Sequence, residues 1–171
     1  MRRLPVLLAV LAPAGAAPGL ALACTPPAAP APTNGVSVAE AKVWLTGLGG
    51  SVGEPTSGDG VTSLHVADQP LPWNLTFYAC GPSLCDDVQY SAIFSGPITP
   101  DQINAWNREH RFLKAFFVPA APGGEASAVV QYDVILTNTG TAQLQEPTVI
   151  WLQLLRTFAQ GLVAAAPETA Q

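Results

Sequence analysis

Between Trp73 and Phe94, apolar and polar residues alternate in two runs separated by Gly81-Pro82-Ser83-Leu84. Trp73, Leu75, Phe77 and Ala79 alternate with Asn74, Thr76 and Tyr78; beyond the turn, Val88, Tyr90, Ala92 and Phe94 alternate with Asp87, Gln89 and Ser91. Period two on both sides of a Gly-Pro turn predicts a β-hairpin with one dry face. A four-residue loop puts Cys80 opposite Cys85 and pairs Tyr78 with Asp87, Thr76 with Gln89 and Asn74 with Ser91. Phe77 then faces Val88, Leu75 faces Tyr90 and Trp73 faces Ala92, whereas a one-residue slip would mix the two faces.

The rest of the chain is punctuated as clearly. Ser37-Val-Ala-Glu40 is a capping box ahead of Val38, Ala41, Leu45 and Leu48 at helical spacing, and Gly49-Gly50 ends that helix. A short strand is expected over 51–54, stopped by Pro55, then a turn at Gly58-Asp59-Gly60 and a strand over 61–66 with Leu64 and Val66 inward. Asp68-Gln69-Pro70 turns into the hairpin, and Gly96-Pro97 closes it. Thr99-Pro100-Asp101-Gln102 starts a second helix with Ile103, Trp106 and His110 inward. Strands are expected over 112–118 and 128–136, around a turn at Pro122-Gly123-Gly124. Pro147 places the start of the last helix near Glu146, with Ile150, Trp151, Leu154, Leu155, Phe158 and Leu162 as its apolar face. The pattern predicts an α+β fold: an antiparallel sheet of five to six strands flanked by three helices, in the order α-β-β-β-β-α-β-β-α.

Composition adds a compartment. Met1-Arg-Arg, an apolar stretch to Leu20 and Ala21-Leu22-Ala23 read as a secretory signal peptide over 1–23. Residues 24–35 form a Pro/Ala-rich tether, 36–163 the folded domain and 164–171 a loose tail; a periplasmic or secreted location is expected. Beyond residue 23, five Lys and Arg stand against twelve Asp and Glu, a net charge of −7. Nucleic acid and anionic lipid are therefore poor partners.

Cysteines refine this picture. Cys80 and Cys85 face each other across the hairpin in an exported chain, so a disulfide on its polar side is expected; closing so short a loop contributes roughly 2 kcal/mol. Cys24 follows a small-residue cleavage site similar to a bacterial lipoprotein box, which makes it a candidate for lipidation and the one route to a membrane. The competing reading is ordinary cleavage beside a cysteine.

No catalytic constellation, metal motif or cofactor motif stands out. Ser83 and Ser91 lack a nucleophile elbow, and His65 and His110 lie far apart. Asp86 and Asp87 are strand neighbours that point to opposite faces, which suits a solvated rim. Arg108, Arg111 and Lys114 form a basic stretch. Either it meets an acidic partner, or Trp106 and Phe112 are buried while the arginines pair with local carboxylates.

Ile103-Asn104-x-Trp106-Asn107-Arg108-x-x-Arg111-Phe112 resembles the signature of the bacterial YbjN-type domain. So do Phe77-Tyr78-x-Cys80-x4-Cys85, the following Gln89-Tyr90-Ser91-Ala92, and Asp133-Val134 before a Trp/Leu-rich helix. The resemblance spans Val36 to Val163 and departs in the Pro119–Ala128 turn and at Pro147. It implies a fold like that of type III secretion chaperones, built for protein contacts and often dimeric, without established catalysis. Trp106, Asn107, Arg111 and Phe112 then read as fold-defining. The function expected is an exported, non-enzymatic module that holds a protein or peptide, a second copy included. The alternative is a small-molecule or lipid-binding domain tethered through Cys24, with an apolar cavity between helices and sheet.

Overall fold

The computed structural model describes residues 33–67 and 71–164. The signal peptide, Cys24, residues 24–32 of the tether, the Asp68-Gln69-Pro70 turn and residues 165–171 of the tail lie outside the described residues. Among the described residues three helices, α1 (Val38–Gly47), α2 (Pro100–Glu109) and α3 (Gln145–Ala164), accompany six strands. These are β1 (Thr56–Gly58), β2 (Val61–Val66), β3 (Trp73–Cys80), β4 (Cys85–Gly96), β5 (Lys114–Val118) and β6 (Ala126–Ile135). They form one antiparallel sheet in the order β1-β2-β3-β4-β6-β5. The expected α+β class is what the structure shows.

The hairpin register agrees with the alternation, from Asn74 opposite Ser91 to Cys80 opposite Cys85. All three helices lie over its dry face. The aromatic rings of Trp73, Tyr90 and Trp151 meet under α3, with centroids 5.6 to 6.1 Å apart. Leu64, Leu75, Phe77, Val88, Val130 and Leu155 are fully buried around them. Burying each large apolar side chain contributes about 1.5–3 kcal/mol, so this layer carries much of the stability. These side chains fill the space under the middle of α3, while an apolar cleft of about 360 Å³ remains toward its C-terminal end, where Leu71, Phe94, Ile98, Ala159 and Leu162 meet. Tyr90 Oη and Thr148 Oγ1 meet across the layer at 2.8 Å, whereas Trp151 Nε1 is buried without an acceptor among the described residues.

Several expected boundaries shift. Residues 51–54 make only a bridge, Val52 to Val66, and the ladder strand is β1. Its turn centres on Asp59 and Gly60, whose φ angles of 52° and 81° are those a two-residue hairpin needs. Leu48 is the C-cap of α1 and half-exposed, because the helix stops before its side chain can turn inward. β4 runs on to Gly96, and β6 spans Ala126–Ile135, because the two pair along their whole length. β5 starts at Lys114: Leu113 is fully buried and Phe112 is 48% exposed, so the apolar anchor is one residue later than the pattern implied. A 3-10 turn over Thr141–Leu144 leads into α3, whose first turn accommodates Pro147, and α3 continues through Ala164, the first residue of the expected tail.

The cysteine end of the hairpin also differs. The Cys80 and Cys85 sulfurs stand 2.08 Å apart. Cys80 is exposed, but Cys85 is only 4% exposed, not on a wet side, because the chain from Gly35 folds over it. Val36 exchanges two 3.0 Å backbone hydrogen bonds with Cys85. Gly35, expected to end the tether, sits at φ 114°, where a Cβ would lie 2.1 Å from the Cys85 carbonyl oxygen. Only glycine fits that seat.

Replacing Tyr90 by Phe strands the Thr148 hydroxyl in the core and should cost about 1–3 kcal/mol, whereas Tyr90→Phe with Thr148→Val should recover most of it. Urea denaturation of the single and double variants checks this; purely additive losses would contradict a coupled pair.

Candidate functional site

The face of the sheet opposite the helices carries no layer among the described residues, and its side chains follow from the register. One row runs His65–Asn74–Ser91–Gln131–Lys114, and the next Ser63–Thr76–Gln89–Asp133. Hydrogen bonds join these rows into a closed polar surface. Gln131 Nε2 donates to Gln89 Oε1 at 3.0 Å, and Gln89 Nε2 donates to Asp133 Oδ1 at 2.7 Å. Ser63 Oγ and Thr76 Oγ1 lie 2.8 Å apart, and His65 Nδ1 and Asn74 Oδ1 lie 3.0 Å apart. Toward the other end the rows turn apolar, with Ile93–Val129–Phe116 and then Val118 beside Ser127. Ile93 is 67% exposed and Phe116 52%.

At the polar end Asp87 and Asp133 share this face. Burial first, then the charges of Asp133 and Asp86, raise the Asp87 carboxyl above its ordinary value of 3.8. Sequence adjacency drew attention to Asp86 and Asp87. The meeting of Asp87 with Asp133 depends on the β4–β6 register, which no local pattern carries.

The motif residues gather at the β5 edge. In an antiparallel ladder alternate residues turn both backbone groups away from the partner strand, and at Ala115 they meet Asn107. Asn107 Nδ2 donates to the Ala115 carbonyl at 2.8 Å, and the Ala115 N–H donates to Asn107 Oδ1 at 2.9 Å. Trp106 Nε1 donates to the Leu113 carbonyl at 3.0 Å. Lys114 Nζ reaches back to the carbonyls of Asn107 and His110, at 3.1 and 2.6 Å, and so caps the α2 C-terminus. The carboxamide of Asn107 thus stands where another strand would add, and Pro119, which lacks an N–H, bounds the edge just beyond β5. Peptide addition along β5 would meet this guard. At the opposite edge β1 is only three residues long.

Other expected positions separate. His110 is the C-cap of α2, with its ring stacked on Trp106 at 3.5 Å, while His65 lies on the open face of the sheet, so the two histidines share no site. Arg111 sits with its guanidinium 5.6 Å from the centre of the exposed Phe112 ring, and Phe112 touches Tyr132. Among the described residues neither Arg108 nor Arg111 pairs with a carboxylate; the ion pair there is Lys42 with Glu54. The local pairing expected for the two arginines is therefore absent; the positive charge at the α2 C-terminus that bonds its carbonyls is Lys114. Among the described residues no three His, Cys, Asp or Glu side chains converge as metal ligands, and no helix is long and apolar enough to cross a membrane.

No family model matches the chain, and no curated protein matches it. Among solved structures it is similar to the crystal structure of YbjN, "a putative transcription regulator from E. coli". The identity is 18%, over 71% of this chain and 82% of that one, with a TM-score of 0.43. That likeness carries neither family membership nor function to this chain.

Asn107→Ala should destabilise the protein by about 1–3 kcal/mol, since it leaves both Ala115 backbone groups unpaired at a part-buried edge. A change under about 0.5 kcal/mol in chemical denaturation would remove the edge-guard role. Because the Asp87 carboxyl titrates higher folded than unfolded, stability should fall as pH rises from 3.8 through the folded value. Asp87→Asn should therefore stabilise at neutral pH, with the gain vanishing below the unfolded value; melting curves across pH test it, and an equal gain at every pH would refute the assignment.

Proposed function

We propose that this chain is an exported, non-enzymatic protein-binding module of the YbjN type, with a chaperone-like or regulatory role. One observation carries the reading: the helices seal only one face of the sheet, and the other ends in exposed Ile93, Phe116 and Val118 beside Val129. Contiguous apolar surface of this kind, rimmed by polar residues, is the usual mark of a protein contact. The motif residues support the same reading, since Trp106 and Asn107 have structural tasks at the β5 edge. The signal peptide pattern of the sequence supports a module of the periplasm or the outside medium, with Cys24 as the candidate anchor.

The test is site-specific photocrosslinking in the native envelope, with the photoreactive residue at Ile93 or Phe116 and, as control, at exposed Val43 on α1. Discrete adducts at the two sheet positions, absent at Val43, are the expected outcome, and an adduct of twice the chain mass would identify a second copy as the partner. The same adducts at all three positions, or none at the sheet, would end this reading.

A further inference from the structure

The cleft toward the C-terminal end of α3 lies on the helix side of the sheet, where Phe94, Ile98, Ala159 and Leu162 line about 360 Å³. Small-molecule sites span roughly 300–1,000 Å³, so the space is large enough for a ligand. At Gln102 and Leu162 it meets a second cleft of about 220 Å³, between Trp106 of α2 and Gly161 of α3. The two clefts form one narrow seam between the helices. α2 and α3 touch there through the Trp106 and Phe158 rings, with centroids 4.9 Å apart, and small residues line the seam at Ala105, Ala159 and Gly161. A Cβ on Gly161 would meet no atom within 4 Å. Glycine weakens a helix relative to alanine, and here it relieves no clash; what it does is keep the seam open.

Polar groups along the seam are few. Gln102 Oε1 accepts from the Thr99 N–H at 2.7 Å, which fixes the carboxamide and leaves Nε2 a donor without an acceptor among the described residues. Ser95 Oγ is taken up by Ser127 Oγ at 3.1 Å, and Glu109 is the one charged side chain among the described residues of either lining. We infer that the seam binds a neutral fatty acyl ester with a small hydroxylated head. The ester carbonyl accepts from Gln102 Nε2, the acyl chain lies on Phe94, Ile98 and Leu162, and the head hydroxyls donate to Glu109. A peptide would fit poorly, since its backbone needs a row of partners and the lining offers one free donor. A free fatty acid would bring its carboxylate to a seam without Lys or Arg and with Glu109 beside it. The site goes beyond the protein-binding reading and uses none of Ile93, Val129, Phe116 and Val118, so either can fail alone.

The probe is monolauroylglycerol, titrated below its micelle concentration into the full chain and followed by NMR of methyl groups and side-chain amides. Saturable one-to-one binding should move the Ile98 and Leu162 methyl signals and the Gln102 carboxamide, and leave Ile93 and Val118 in place. Gly161→Leu and Ala159→Leu each fill the seam and should weaken binding about tenfold or more. Gly161→Leu should melt no lower than the parent chain, which separates blocking from unfolding. Gln102→Glu keeps the acceptor for the Thr99 N–H and removes the donor. It should weaken monolauroylglycerol about tenfold and leave the corresponding dodecyl ether, which has no carbonyl, unaffected. Laurate should bind at least about tenfold less tightly than its glycerol ester. The inference is overturned by no saturable binding, by affinity unchanged in both leucine variants, or by laurate bound as tightly as the ester. Equal effects of Gln102→Glu on ester and ether, or signals moved only at Ile93 and Val118, would overturn it as well.

Discussion

Packing of α3 across the dry face of the hairpin is the contact on which everything else depends. Trp151 packs against both of the stacked Trp73 and Tyr90 rings, Phe158 reaches Phe94 and Trp106, and so one helix ties the central strands to α2. Removing that face from water fixes which side of every strand is wet, because strand side chains alternate strictly. The open face is thus a consequence of the closed one.

Two kinds of hydrogen bonding finish the job at the margins. On the open face, Gln89 sits between Gln131 and Asp133 and holds neighbouring strands by their side chains. At the β5 edge, Trp106 and Asn107 present side-chain donors and an acceptor to a backbone that would otherwise invite another strand. The protein therefore exposes a face while guarding an edge, which favours contacts through side chains over contacts through backbone. Edge pairing is poorly selective; a face made of particular side chains can choose.

The charge distribution follows the same division. At the polar end of the open face, burial and then the neighbouring charge of Asp133 raise the Asp87 carboxyl, whereas among the described residues Arg108 and Arg111 pair with no carboxylate. Lys114, expected to belong with them as a free cation, is instead consumed by the carbonyls of the helix terminus. What remains exposed is narrower than the basic stretch of the sequence suggested: Arg108, and Arg111 beside the half-exposed Phe112 ring.

Strand alternation by itself determined the hairpin, its register and its dry face, because these rest on neighbours a few residues apart and on a period that tolerates no slip. The capping boxes at Ser37 and Thr99 fixed two helix starts for the same local reason. Only the tertiary structure decided that Leu113, not Phe112, anchors the chain entering β5, since both are apolar and only the crossing of α2 distinguishes them. It alone brought Asp133 beside Asp87, folded Gly35 and Val36 over Cys85, and set Asn107 against Ala115. Those contacts join distant segments or a helix to a strand edge, and their geometry exists only once the sheet has been assembled.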